Sequence, residues 1–452
     1  NTFSNNVKRG IRSTKIVTPR EVRPGVILYE DGRILELAAD TVDAAEILDV
    51  GDRFVFPGFF DVHTHINEPG RTHWEGFETA TRAAAAGGFT CVIDMPLNSI
   101  PSTTDVAALT AKRAAARDKA MVDYAFWGGA LPGNAAQFQP LAEAGVRGFK
   151  CFLIHPGTEE FAMVTEPDLR RAMPEIAKLG LPLLAHAEVP EPVSQASAKL
   201  QSSDWRSYAT YLASRPETAE TEAIRLLIAL SEETGCRVHI VHLSAASAIP
   251  MLARARSAGL PITVETCSHY LFFDAESIPD GATQFKCAPP IRSRKNQDAL
   301  WQALRDGTID MIATDHSPCP PELKCLETGN FSQAWGGISS LSVSVPAMWT
   351  ALRSRGFGAL HLARWMSERP ASLAGISHRK GRIAPGLDAD FAVLDPQSTF
   401  HVTPERLYFR HPCSPYVGEQ LSGEIVTTIL RGETVFASGR FAAHNHGREV
   451  PA

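Results

Sequence analysis

The strongest constraint on the fold of this chain is an alternation that runs through its middle. Eight short, β-prone apolar runs occur at residues 59–62, 90–94, 123–127, 148–153, 183–185, 237–241, 261–265 and 309–314, separated by longer stretches of helical character. Parallel strands cannot be joined by a tight turn and need a crossover, for which a helix is the usual solution. Eight such repeats over roughly 300 residues predict an α/β fold, a TIM (β/α)8 barrel with insertions. Residues 74–86 form an Ala-rich helix candidate stopped by Gly87-Gly88, and residues 219–232 form another with apolar positions at helical spacing.

The two ends read differently. Asp31-Gly32 interrupts the β-prone stretch 26–37, and Arg431-Gly432 does the same within 425–437; both are hairpin signals, and 390–394 adds a further strand. Neither end carries enough apolar residues for a core of its own. The economical arrangement is one small β-sandwich built from both ends, with residues 1–56 and 381–452 (the latter including a tail) flanking a barrel domain at 57–380.

Bulk properties narrow the function classes. With 452 residues, 44% hydrophobic and 21% charged, the chain reads as a soluble globular protein. A net charge of −6 gives no sign of the clustered basic surface expected of a nucleic-acid binder and disfavours an anionic membrane surface. No apolar run approaches the ~18 residues that span a bilayer. The first residues, Asn-Thr-Phe-Ser-Asn-Asn-Val-Lys-Arg, lack an apolar signal-peptide segment and an initiator Met. Eight scattered cysteines read as free thiols of a reducing compartment, here the cytoplasm. Cys319 and Cys325 are close in a Pro-rich loop, but a disulfide between them is not expected.

Barrel chemistry sits at the C-terminal ends of the strands, so the residues that follow each run matter most. The first run ends in His63-Thr64-His65, the fourth carries Lys150, the fifth ends at His186, the sixth at His242 and the eighth at Asp315. Two histidines two apart on a strand point to one side and can reach one ion. A lone histidine is more often a satisfied core residue; four histidines and an aspartate at strand ends make that reading poor. Lys150 is all donor as an ammonium and cannot bind a metal. Desolvation and nearby positive charge depress its pKa, and the free amine can add carbon dioxide to become a two-oxygen carbamate ligand. The expectation is a pair of divalent ions per chain, one held by His63, His65 and Asp315, the other by His186 and His242, with carboxylated Lys150 as the bridge. Asp315 is also the candidate general base and acid.

These residues sit in motifs that resemble the cyclic amidohydrolases, the family of dihydroorotases, hydantoinases and allantoinases. The motifs are Asp61-Val-His-Thr-His-Ile-Asn-Glu-Pro-Gly70, Phe-Lys150-Cys-Phe, Ala185-His186-Ala-Glu, Val241-His242-Leu-Ser and Ala313-Thr-Asp315-His-Ser-Pro. The resemblance covers nearly the whole chain. It implies a barrel plus β-sandwich, a carboxylated lysine, a binuclear site (zinc first, cobalt or manganese otherwise), a small-molecule substrate and a homo-oligomer, commonly a tetramer.

Within the family three stretches resemble the allantoinase branch: Glu68-Pro-Gly-Arg-Thr-His-Trp-Glu-Gly-Phe77, Met95-Pro-Leu-Asn-Ser-Ile-Pro101 and Ala334-Trp-Gly-Gly-Ile338. The branch implies hydrolysis of allantoin to allantoate. Where dihydroorotases commonly carry a carboxylate-binding arginine this chain has Asn67, with Arg71 nearby as a replacement. Where hydantoinases commonly carry a tyrosine it has His155. The resemblance marks Asn98, Ala288 and Gly337 as substrate contacts, the last two through backbone atoms; as bare residues they read equally as a turn-former, a Pro-rich turn and a loop glycine. His269 is read as a residue supporting the metal ligands. The alternatives are a hydantoinase, a dihydroorotase, or a catalytically inactive scaffolding relative.

Overall fold

A computed structural model describes residues 8–451 apart from 40, 41, 43 and 45. All eight expected runs lie on strands of one parallel ring. The strands are Phe59–Thr64, Phe89–Asp94, Asp123–Phe126 (continued by Gly128–Gly129), Phe149–Phe152, Leu183–His186, Val238–Ile240, Ile262–Cys267 and Met311–Ala313. Successive strands pair in parallel. A parallel bridge between Thr64 and His316, with the His65 N–H donating to the His316 carbonyl at 2.8 Å, closes the ring. The chain is thus a TIM barrel with a second, largely antiparallel β-unit drawn from both ends.

Two helices show how local sequence sets the boundaries. The Ala-rich helix begins at Phe77, three residues later than its composition suggests. Gly76, at φ 101°, offers no side-chain cap, and the Glu68 carboxylate takes the Phe77 N–H instead at 2.8 Å. Its end is fixed by space: a Cβ on Gly87 would stand 2.1 Å from the Leu341 carbonyl oxygen. The second helix, Glu217–Thr234, starts directly after Pro216 and ends at Gly235 in the left-handed conformation.

The outer sheet draws its strands from both ends of the chain. Its order is Arg440–Phe441, Glu433–Ala437, Gln420–Leu430, Phe391–His401, Phe54–Pro57, Arg9–Val17, Val22–Glu30 and Arg33–Ala38, with Glu46–Asp49 also paired to Arg9–Val17. The four-residue strand Phe54–Pro57 is the joint. It pairs in parallel with Lys15 and Ile16 and antiparallel with Phe391–Leu394. Both hairpins turn through two left-handed residues, Asp31-Gly32 (φ 50° and 75°) and Arg431-Gly432 (φ 45° and 79°), matching the twist of the strands they join. Ile11, Ile27, Val55, Phe391, Val393 and Ile429, from both ends of the chain, share one core.

The last described residues return to the barrel. Tyr124, on the third barrel strand, donates to the Arg448 carbonyl at 3.0 Å and accepts from the Val450 N–H at 2.8 Å. Val450 is buried in the same core cluster as Phe60, Cys91, Ala125, Leu184 and Met311. All eight cysteines are free thiols. Among the described residues no helix is long and apolar enough to cross a membrane.

Candidate metal centre

Strand periodicity aims the chemistry inward. Residues two apart share a face, so Lys150 lies with Phe152, His186 with Leu184, and Asp315 with Met311 and Ala313. Phe152, Leu184, Met311 and Ala313 belong to the core inside the ring. At the strand ends this packing gives way to a cavity of about 420 Å3, which His63, His65, Lys150, His186, His242 and Asp315 all line.

The ligand-type atoms fall into two groups. His63, His65 and Asp315 form one, with all three donor atoms within 4.8 Å of one another. The Asp315 Oδ1 lies 3.0 Å from His63 Nε2 and 3.3 Å from His65 Nε2. His186 and His242 form the other, with His186 Nδ1 2.9 Å from His242 Nε2. The rings of His63 and His242 are 5.5 Å apart, which links the groups.

Electrostatics suit cation binding. Burial opposes the Asp315 charge, but the positive field of His63 and hydrogen bonds from His63 and His65 hold its carboxyl well below the usual range. Burial lowers His65 to about 4 and, together with the charge on His186, pushes His242 well down, leaving neutral rings with a free lone pair. His63 is the exception, raised to about 9: burial lowers it, and Asp315 and Glu265 outweigh burial. Metal binding there is coupled to loss of that proton. Lys150 is fully buried with no carboxylate within ion-pair distance among the described residues; its Nζ meets the Met95 sulfur at 3.7 Å and lies over the Phe152 ring, 4.9 Å from its centroid. Burial depresses its pKa toward the free amine.

Carboxylates that the sequence did not single out hold the imidazoles from behind. Glu265 takes His63 Nδ1 at 2.5 Å through one oxygen and His239 Nε2 at 2.8 Å through the other. Glu188 takes His186 Nε2 at 2.7 Å and is itself held by both Nε (3.1 Å) and Nη2 (2.7 Å) of Arg215. Each fixes which ring nitrogen faces the cavity. The available signals were a charged residue inside the apolar strand Ile262–Cys267 and an acid two residues after His186. Glu265→Gln is expected to weaken metal retention ~10–100-fold without unfolding the barrel. Residual metal after dialysis against graded chelator checks this; unchanged retention would show that Glu265 does not act on the ligand.

The remaining candidates line the walls, with one exception. Asn98 adopts a left-handed φ of 67°, so it does serve a turn. It also lines the cavity with its buried Oδ1 unpartnered. The backbone N–H and C=O of Ala288 have no partner among the described residues, and Ala288 borders the cavity. Gly337 borders it too, with both backbone groups engaged: its N–H donates to the Lys286 carbonyl at 2.8 Å and its carbonyl accepts from the Lys324 ammonium, keeping one lone pair for a ligand. His269 lies outside the cavity lining, fully buried against Tyr270, with both ring nitrogens unpartnered; burial lowers it to about 4.

The three loops that carry the allantoinase-like motifs meet here. Trp74 packs edge-on to Trp335 at 5.1 Å, and Arg71 donates to the Asn98 carbonyl at 2.9 Å. Arg71 is also paired to Glu160 and stacked on Trp74, and it does not line the cavity. Asn67 is likewise absent from the lining; its Nδ2 donates to the Pro318 carbonyl. His155 stands at the rim, its side chain 55% exposed, with Nδ1 accepting from the Gly157 N–H. Among the described residues no arginine except the Glu188-paired Arg215 faces this cavity.

Comparison with known proteins agrees with this geometry. Residues 54–435 match the amidohydrolase family. The chain is 48% identical to the allantoinase of Streptomyces avermitilis over 96% of this chain and 97% of that one. It is 42% identical to the allantoinase of Saccharomyces cerevisiae, over 95% and 91%. Among solved structures, the L-hydantoinase of Arthrobacter aurescens superimposes with a TM-score of 0.93 at 31% identity, covering 99% of this chain and 100% of that one. A barrel whose strand ends converge on this donor set, matched across most of its length, places the chain in the amidohydrolase family.

Proposed function

We propose that this chain is an allantoinase, hydrolysing a cyclic amide bond of allantoin to give allantoate. One observation carries the reading: a complete set of ligand-type side chains surrounds a single cavity in which, among the described residues, no unpaired arginine awaits a substrate carboxylate. His63, His65 and Asp315 would hold one divalent ion and His186 and His242 a second, with carboxylated Lys150 between them; zinc suits these nitrogen and oxygen donors first, then cobalt or manganese. When bound, such ions polarise the ring carbonyl and lower the pKa of water. Asp315 takes a proton from the attacking water and delivers it to the ring nitrogen as the C–N bond breaks. Asn98 and the backbone of Ala288 and Gly337 orient the ring, while Glu265 and Glu188 keep the imidazoles in place. By analogy with the family the enzyme is a homo-oligomer, a tetramer, in the cytoplasm; the eight free thiols support a reducing compartment.

The substrate follows from charge. Dihydroorotate carries a carboxylate, and this cavity presents no free fork to receive it: Asn67 and Arg71 are both engaged elsewhere. Allantoin is neutral and rich in donors and acceptors, which suits amide and backbone groups. A hydantoinase reading needs a phenol where His155 stands bonded within its own loop. A scaffolding relative needs no such donor set. In metal-loaded enzyme, kcat/KM is expected to be highest for allantoin across a panel with dihydroorotate, hydantoin and dihydrouracil. Dihydroorotate should trail by at least ~100-fold, the scale of a missing charged hydrogen bond. Equal or better turnover of dihydroorotate overturns the substrate assignment while leaving the metal chemistry standing.

A further inference from the structure

Four lysines are buried among the described residues: Lys112, Lys150, Lys324 and Lys380. Two of them have the partners that a buried ammonium demands. Lys112 meets Asp94 at 2.6 Å, and Lys380 meets Asp390, Asp123 and Asp388 at 2.6, 2.8 and 3.0 Å. Lys150 belongs to the metal centre. Outside the metal centre, Lys324 is the buried lysine with no carboxylate in ion-pair range among the described residues, its ammonium spent on backbone: it donates to the Gly337 carbonyl and, at 3.2 Å, to the Trp335 carbonyl.

Both carbonyls belong to one wall of the cavity, which is lined by Ala334, Trp335, Gly336 and Gly337. A second lysine, Lys286, donates to the Ala334 carbonyl at 2.6 Å. Three of the four carbonyls of this segment are thus held by two ammonium groups from outside it. The segment has little rigidity of its own: it has two glycines, and Gly337 sits at φ 145°, where a Cβ would stand 2.6 Å from the Ser317 carbonyl oxygen. Lys324 is itself fixed, since its carbonyl accepts from Thr283 Oγ1 and the Leu323 carbonyl accepts from the Trp335 N–H at 2.7 Å. Burying a charge against neutral dipoles alone is costly for folding.

We propose that Lys324 is a positioning residue for substrate binding, clamping the Trp335–Gly337 backbone so that its polar groups meet the ring in register, with Lys286 as its weaker counterpart on Ala334. The proposal rests on the cyclic-amide reading of the cavity. The clamp touches neither the metal ligands nor Asp315, so it acts on ground-state binding rather than on the chemical step. Lys324→Met keeps the apolar stem and removes the ammonium. With metal-loaded enzyme, and with whichever cyclic amide of the panel the wild type opens best, KM should rise ~10–100-fold while kcat stays within ~3-fold and metal content is unchanged. A wrong substrate assignment then shows in the wild type, and a wrong clamp only in the variant. KM within ~2-fold of wild type, or a fall confined to kcat, overturns the proposal. Should Lys324→Met fail to fold, Lys286→Met, at a less buried position, must show the same split to a smaller degree; an unchanged KM there overturns it equally.

Discussion

Lys150→Ala is expected to abolish turnover and to strip the metal while the barrel stays folded. The side chain is fully buried, faces two histidine groups and has no anion of its own, so its removal takes away the one group that can become a two-oxygen ligand between them. Activity should fall by more than about 1000-fold, since removing even one preorganised electrostatic contact from an active site costs ~100–1000-fold. The circular-dichroism spectrum should match wild type, because the strand Phe149–Phe152 keeps its ladder on both sides. Acetate or propionate should restore part of the turnover by occupying the vacated space. An alanine variant with wild-type activity and metal content would remove Lys150 from the ligand set.

Asp315→Asn is expected to cost ~100–10,000-fold in kcat, the usual worth of a positioned general acid–base group. The substitution is chosen for its backbone. Asp315 adopts φ 46°, a conformation that asparagine tolerates and alanine does not. An amide oxygen can still face His63 and His65, so the variant should fold and retain part of its metal. What it cannot do is take a proton at neutral pH. A kcat within ~10-fold of wild type at matched metal content would assign the proton transfer to another group.

The parts of this molecule that could be read from its residues are those whose signal is local. Each barrel strand is an apolar run bounded by turn residues, and each ligand-type residue sits at the end of its own run, so His63, His186, His242 and Asp315 stood out one strand at a time. What lay beyond reach depends on pairs of residues far apart in the chain. Glu265 and His63 are 202 positions apart, and nothing near either residue announces the other. The strand Phe54–Pro57 adjoins the first barrel strand in sequence and reads as its lead-in, yet it belongs to the outer sheet. Arg71 could be read as a replacement for the missing carboxylate-binding arginine until its pairing with Glu160, 89 positions on, placed it elsewhere. The helix start at Phe77 was hidden for the same reason in miniature, since the Glu68 carboxylate that takes its first N–H lies nine residues back.

The joint at Phe54–Pro57 has a consequence for how the molecule is made. This strand is synthesised early, and its second neighbour, Phe391–Leu394, follows more than 300 residues later. During that interval the N-terminal strands hold an unpaired edge, open to pairing with the wrong partner. The third barrel strand likewise acquires its contact with Arg448 and Val450 only after more than 300 further residues have been made. Vectorial synthesis therefore cannot complete either unit before the other, and a ribosome-bound chain stays an aggregation hazard until these distant partners emerge.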